Sequence, residues 1–362
     1  MGGKTYTGQE SIMAEKRIRV GVVGTGFGRY HMEGYSKIAG VEVVAICDLN
    51  EPEAKQFAAQ YGAQYVFTDY RKMFSMEELD AVSIAVPNNL HAPMSIDALK
   101  KGKHVLVEKP MTITPKDARA MVAAAEKAGK RLMVDQSMRF SEDAQLLREY
   151  WRRGVFGDVY FAKSTWVRRK GWPKLNFPPG GTMGRGEWFI RKEEAGFGAL
   201  GDIGVHLVDL AWYLMGNPKP VSVSGQMWTC VANPLLEKKK LPVEVDETAV
   251  GAIRFENGQM LHVDVCWDSY NEPLQNVRVF GNRGGASLFP ATVYRGEDIM
   301  ESTTLGTTYG AFETENAWEH FISCVRNPQK NMTASGAEIV QLIQILDGIA
   351  RSAAKGAEVN LG

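Results

Sequence analysis

A lysine closing an apolar run, an acid and a histidine four residues apart, and a glycine-rich turn are the places where this sequence could do chemistry. Lys109 follows HVLVE (104–108), which reads as a buried strand, and Pro110 stops the strand directly after it. An ammonium held at the lip of a sheet can stabilise negative charge developing on an oxygen. Asp202 and His206 lie in GDIGVHLVDLAWYLMG (201–216). Leu207, Leu210, Ala211 and Leu214 give that stretch the apolar stripe of a helix, so Asp202 and His206, at i and i+4, share one face. An imidazole titrates near neutrality and can accept a hydroxyl proton, while the acid orients it or bonds a neighbouring hydroxyl. Each group also has a plain structural reading. Glu108–Lys109–Pro110 would be a solvated loop, Asp202 a helix N-cap and His206 a core histidine. Gly204 is disfavoured inside a helix by about 1 kcal/mol relative to alanine, which marks close approach by another element.

The glycine-rich turn is GTGFG (24–28), fed by the apolar run RIRVGVV (17–23) and followed by a helix-length stretch. Gly24, Gly26 and Gly28 permit a tight turn and let backbone N–H groups approach a pyrophosphate at the helix N-terminus, with Phe27 in the same loop. Counting GxGxxG from Gly24 puts Arg29 in the third glycine slot, so Gly28 would have to pack helix against strand from a shifted register. Asp48 ends the next apolar run, VEVVAIC (41–47), where an acid would bond a ribose 2′-hydroxyl. Its charge repels a 2′-phosphate, and neither Leu49 nor Asn50 supplies a cation, so NAD is expected rather than NADP. VPNNLH (86–91) falls after a later strand on the same sheet edge, making Pro87, Asn88 and His91 candidate cofactor contacts. Glu108 and Lys109 end another strand on that edge and join them.

These groups need a frame. Strands at 17–23, 41–47, 80–87, 104–108 and 131–136 alternate with helices at 28–38, 51–62, 90–102 and 115–129, the pattern of a parallel sheet with right-handed crossovers. After residue 136 a helix (141–153) leads into longer alternating strands at 158–169, 220–231, 246–255, 258–267 and 275–281, then helices at 315–326 and 334–355. The expected fold class is α/β: a Rossmann parallel sheet over 16–136, then an α+β substrate-binding and oligomerisation domain over 137–362 with a large, mostly antiparallel open sheet. Residues 1–15 read as a disordered leader. Lys+Arg and Asp+Glu are both 42, so no basic field exists for nucleic acid or anionic lipid. No apolar run reaches the length of a membrane span. The four cysteines show no metal spacing, so no metal site is expected, and they fit a reducing, cytoplasmic compartment.

Taken together, GVVGTGFG (21–28), CD (47–48), VPNNLH (86–91), EKP (108–110), GALGDIGVHLVDL (198–210) and ILDGIARSAAKGAEVNL (345–361) resemble the Gfo/Idh/MocA oxidoreductase family across almost the whole chain. The resemblance implies a Rossmann domain followed by an α/β domain whose open sheet often builds dimers, tetramers or hexamers. It also implies a Lys–Asp–His catalytic set, here Lys109, Asp202 and His206. In MVDQSMRF (133–140) the family's usual Asn is absent, with Ser137 and Met138 in its place. That loop borders the substrate in the family, so Ser137 and Arg139 are candidate substrate contacts. Trp166 and Arg168 could add stacking and donors for a polyhydroxylated ring, alongside Lys109, Asp202 and His206. The expected activity is NAD-dependent oxidation of a ring secondary hydroxyl of a sugar, glycoside or cyclitol to a ketone. The alternatives are a redox-neutral, NAD-retaining glycosidase or lyase and a non-catalytic NAD-sensing binding protein.

Overall fold

A computed structural model describes residues 17–173, 186–230, 236–237, 241–296, 300–305 and 314–361; the leader expected at 1–15 lies outside them. The first half builds a six-stranded, all-parallel sheet from β1 (Ile18–Val23), β2 (Val41–Cys47), β3 (Tyr65–Phe67), β4 (Ala81–Ile84), β5 (His104–Glu108) and β6 (Leu132–Asp135). Their order is β3-β2-β1-β4-β5-β6, so strand order reverses between β1 and β4 and a crevice opens there at the carboxyl edge. The central strands are buried nearly throughout because helices α1 (Gly28–Ser36), α2 (Glu51–Tyr61), α3 (Tyr70–Phe74), α4 (Asn88–Lys100) and α5 (Pro115–Ala128) connect them across both faces. Local chemistry sets the helix limits. Thr114 caps α5 by accepting the Asp117 N–H at 3.1 Å, Pro115 occupies its first position, and Gly129 ends it with φ 61°.

The second sheet has nine strands: β7 (Val159–Val167), β8 (Pro220–Trp228), β9 (Thr248–Phe255), β10 (Met260–Cys266), β11 (Leu274–Gly281), β12 (Gly284–Leu288), β13 (Thr292–Arg295), β14 (Glu301–Thr304) and β15 (Val359–Asn360). Their order is β14-β13-β12-β11-β7-β10-β9-β8-β15, antiparallel at every pair except β7–β10. Burial alternates along β9, so one face is covered and the other open, as the alternating sequence requires. The covered face packs on α8 (Val205–Leu214) and on the last helix, α10 (Gly336–Lys355), with α6 (Glu142–Arg152) against α8; α7 (Lys192–Ala195) packs on α4 and α9 (Ala317–Arg326) on the first half.

The chain's end does not stay with the second sheet. Helix α9 packs on α1, α10 packs on α5, and the Val134 N–H donates to Ala334 O at 3.0 Å. Helix α10, which packs on β8 and β9 as well as on α5 and β6, therefore binds the two sheets to each other and holds residues from both in one site.

A candidate active site where the two sheets meet

Lys109 stands at the carboxyl end of β5 and reaches across to the second half. Its Nζ donates to Asp202 O at 2.8 Å and lies 3.5 Å from Asp202 Oδ1, with only 13% of the lysine side chain and 18% of the aspartate side chain exposed. Asp202 is not an N-cap. Leu200–Gly204 forms a wide π-type turn running directly into α8. Asp246 starts that turn by accepting the N–H groups of Gly198 at 2.7 Å and Leu200 at 2.8 Å. The Trp267 indole N–H donates to Asp202 Oδ2 at 2.9 Å, which leaves Oδ1 turned toward Lys109. A Cβ at Gly204 would sit 3.3 Å from both Ala199 O and Val265, so glycine there admits the second sheet as its mid-helix position suggested.

His206 opens α8. The residue is half-buried, and its Nδ1 is sealed from solvent without a partner among the described residues. Among the described residues, no hydrogen bond therefore fixes which ring nitrogen carries the proton. Burial, then the charges of Lys109 and Arg168, hold its pKa well below the usual histidine value, so the ring is neutral near physiological pH. Trp166 lies beside it with ring centroids 6.3 Å apart, and the Arg168 guanidinium sits 4.6 Å over the Trp166 ring. Lys109, Asp202, His206, Trp166 and Arg168 thus gather in one place.

The glycine turn fits a dinucleotide. A Cβ at Gly24, where φ is +88°, would lie 2.1 Å from Ala85 O, so only glycine lets the turn rest on the β4 loop. A Cβ at Gly28 would meet Val22 at 2.8 Å, so this glycine does pack helix on strand from its shifted position. Above Gly26 the space is open within 4 Å, Phe27 is half exposed, and α1 begins with no side-chain cap and no acid in its first turn. Its first N–H groups are therefore available to an anion. Asp48 has a structural task that the sequence did not suggest: its Oδ2 accepts the Thr25 N–H and hydroxyl, both at 2.7 Å, and so holds the glycine turn in place. The Asn50 N–H adds a bond to Oδ1 at 2.8 Å.

Five candidate contacts are placed differently. Arg139 is 1% exposed, with Nε and an Nη each 2.6 Å from the two oxygens of Asp209 and the other Nη 2.6 Å from Glu338; it is a structural ion pair, not a substrate ligand. Ser137 is exposed on a short 3₁₀ turn and shares no hydrogen bond with the catalytic candidates among the described residues. His91 is buried between Pro110 O at 2.8 Å and Val86 O at 2.9 Å, so it positions the two loops at the sheet edge rather than touching a ligand. Asn88 donates to Ala195 O at 2.9 Å and joins that edge to α7. Pro87 stands at the N-cap position of α4, at the sheet edge. Glu108 faces inward against His31 at 2.9 Å.

A Rossmann sheet with a dinucleotide-ready turn, facing a lysine, an acid and a neutral histidine, defines a nicotinamide-dependent oxidoreductase. The chain belongs to the Gfo/Idh/MocA family: residues 18–136 match its NAD-binding Rossmann oxidoreductase domain, and 144–287 match the GFO/IDH/MocA C-terminal domain. It is 32% identical to the D-glucoside 3-dehydrogenase of Escherichia coli (strain K12), over 97% of this chain and all of that protein. It is 26% identical to the levoglucosan dehydrogenase of Pseudarthrobacter phenanthrenivorans, over 96% of this chain and 98% of the other. A solved structure of levoglucosan dehydrogenase in complex with NADH superposes with a TM-score of 0.81 at 25% identity, covering 95% of this chain and 99% of that one.

Proposed function

We propose that this protein is an NAD-dependent dehydrogenase that oxidises a ring secondary hydroxyl of a sugar or glycoside to a ketone. The observation that carries the reading is the Lys109 ammonium, fixed by Asp202 at the edge that the glycine turn faces. Relatives matched over their whole length are a glucoside dehydrogenase and a levoglucosan dehydrogenase, which supports a carbohydrate alcohol as substrate. Bound NAD would supply the hydride acceptor, held by the open turn at Gly26, the uncapped α1 and Asp48.

The chain's own residues handle the proton and the developing charge. His206, neutral because of burial and its cationic neighbours, accepts the hydroxyl proton. Lys109 stabilises the oxygen as it loses that proton. Asp202, pinned through Oδ2 by Trp267, offers Oδ1 to orient a hydroxyl. Trp166 and Arg168 supply a ring face and donors beside His206. The test is a panel of glycosides, anhydrosugars and cyclitols with NAD, followed by NADH absorbance. Net NADH from at least one ring alcohol is expected. Copurifying NAD with no net NADH from any of them would favour the redox-neutral reading.

The depressed His206 pKa has a pH consequence. A base works only when unprotonated, and this ring stays neutral below its usual value of 6.5. The protonation of His206 is therefore expected to cost no turnover between about pH 8 and 6.5, with its acid limb lying lower. A limb at neutral pH that disappears in His206→Gln would contradict this.

We also read the protein as a cytoplasmic homo-oligomer. The open face of the large sheet sets Phe161 against Phe280, centroids 5.3 Å apart, and carries the exposed Leu274 at the other end of β11, which supports self-association. The four cysteines are free, which fits a reducing compartment. No helix among the described residues is long and apolar enough to cross a membrane.

A further inference from the structure

Behind Lys109 lies a buried cluster that the reaction, as read above, does not use. His31 on α1 is 1% exposed, with Nε2 2.9 Å from Glu108 Oε1 and 3.4 Å from Asp135 Oδ2. Its Nδ1 lies 3.1 Å from Ser83 Oγ on β4, which in turn meets the Tyr35 hydroxyl at 2.8 Å. The Trp318 ring of α9 covers the imidazole edge-on, with centroids 5.8 Å apart. Glu108 and Asp135 are register partners at the ends of β5 and β6, so the sheet sets two carboxylates side by side. Glu108 also accepts the Lys109 backbone N–H on Oε2 at 3.2 Å. Asp135 Oδ1 is sealed from solvent without a partner among the described residues.

Two adjacent buried carboxylates are costly unless a cation or a shared proton lies between them. The imidazole is the group placed to provide both, since one nitrogen faces the two acids and the other is held by Ser83. We propose that His31 and Asp135 are positioning residues for Lys109: the imidazole bridging the carboxylates fixes Glu108, and the Glu108 contact to the Lys109 N–H sets the strand end from which the ammonium reaches Asp202. This rests on the role given to Lys109 above.

The charge balance is consistent with that arrangement. Burial favours a neutral His31, but its bond to Glu108 and the charges of Glu108 and Asp135 outweigh it and raise its pKa. Burial works against charge on Glu108, yet His31, Lys109 and His91 on α4 hold its pKa below the usual value. Burial, then the Glu108 charge, push Asp135 up to about 7, against His31 and Lys109. The facing groups are thus His31 and Tyr35 from α1, Ser83 from β4, His91 from α4, Glu108 and Lys109 from the β5 end, and Asp135 from β6. The raised pKa of Asp135 brings the exchange of its proton toward neutrality.

The experiment uses the full-length enzyme and the variants Asp135→Asn and His31→Gln, both close in shape to the residues they replace. Measurements are NADH affinity by fluorescence, kcat and KM against pH on the best sugar of the panel, and competitive acetylation of lysines read by mass spectrometry. For Asp135→Asn, kcat is expected to fall about tenfold or more, as displacement of a reacting group does, with sugar KM and NADH affinity retained. A limb of the wild-type kcat profile near pH 7 should vanish in this variant and persist in His206→Gln. Acetylation of Lys109 should change about threefold or more while Lys103 and Lys330 keep their rates, and this readout needs no sugar. Folded variants with wild-type kcat, pH profile and Lys109 labelling would overturn the proposal. So would a loss of NADH binding in step with thermal stability, which would mark a merely structural cluster. If His31→Gln does not fold, Asp135→Asn carries the test. If the wild type oxidises nothing in the panel, the functional reading fails while the labelling still decides this one.

Discussion

Lys109→Ala is expected to lower turnover by about 10³-fold, within the range of a lost proton-transfer or charge-stabilising group, while NADH affinity stays within a few-fold of wild type. The lysine is mostly buried, and its Nζ is held by one carbonyl and one carboxylate oxygen of the same aspartate. That arrangement fixes the ammonium in space yet leaves donor capacity for a substrate oxygen, because an ammonium has three N–H groups. Removing it takes away the stabilising charge and leaves the Asp202 carboxylate facing the cleft without its cation. Arginine is not a conservative replacement, since its planar fork is wider than a point ammonium and cannot reproduce both contacts. The measurement is steady-state kcat and KM with the best sugar, beside NADH titration and a melting curve. A purely structural tie between the halves predicts a different pattern, with lower thermal stability and weaker NADH binding at nearly unchanged kcat in the folded fraction. A variant retaining a tenth or more of wild-type turnover would end the catalytic assignment.

The residues that gather around Lys109 differ in how far the sequence reveals them. Lys109 itself is legible because a buried strand ending in Glu-Lys-Pro has to deliver its last residues to the sheet's carboxyl edge. Asp202 and His206 are legible as a pair, but the wide turn under Asp202 is not, since a spacing of four reads as an ordinary helix. What makes the turn is Asp246, which is 44 positions beyond Asp202 in the chain and enters only through tertiary contact. Trp267 closes a strand that the alternation pattern identifies, yet nothing local says that its indole faces Asp202. His31 looks like a helix residue after a glycine turn. Its partners Glu108 and Asp135 come from strands formed much later in the chain. In the frame, β3 and α3 go unread because three and five residues carry too little periodicity. Strand β14 is exposed at all four positions and has no apolar alternation to detect. Periodicity thus shows where the sheets lie, and the ends of their strands show where chemistry can sit, but pairings between distant polar groups need the fold.

Arg139 is the case where that distinction has the largest energetic consequence, and Arg139→Met is expected to destabilise the protein by about 3–5 kcal/mol, lowering its melting temperature by about 5–15 °C. The guanidinium bonds Asp209 through two 2.6 Å contacts and Glu338 through a third, joining the end of β6 to α8 and α10. Asp209 is 1% exposed, so removing the arginine strands a carboxylate with no water to receive it. Glu338 loses less, because its Oε1 also accepts the Asn217 amide at 2.9 Å and about a quarter of its side chain is exposed. Most of the penalty is therefore the unpaired Asp209 rather than the value of the pair. Arg139→Met combined with Asp209→Leu should then be more stable than Arg139→Met alone, since two apolar groups leave no buried charge behind. Melting curves of both singles and the double, with Asp209→Leu alone closing the cycle, measure that coupling. Because the arginine spends its donors on these acids, the folded Arg139→Met enzyme should keep its sugar KM within about threefold, as expected for a site it does not contact. A tenfold rise in KM at unchanged melting temperature would return Arg139 to the substrate.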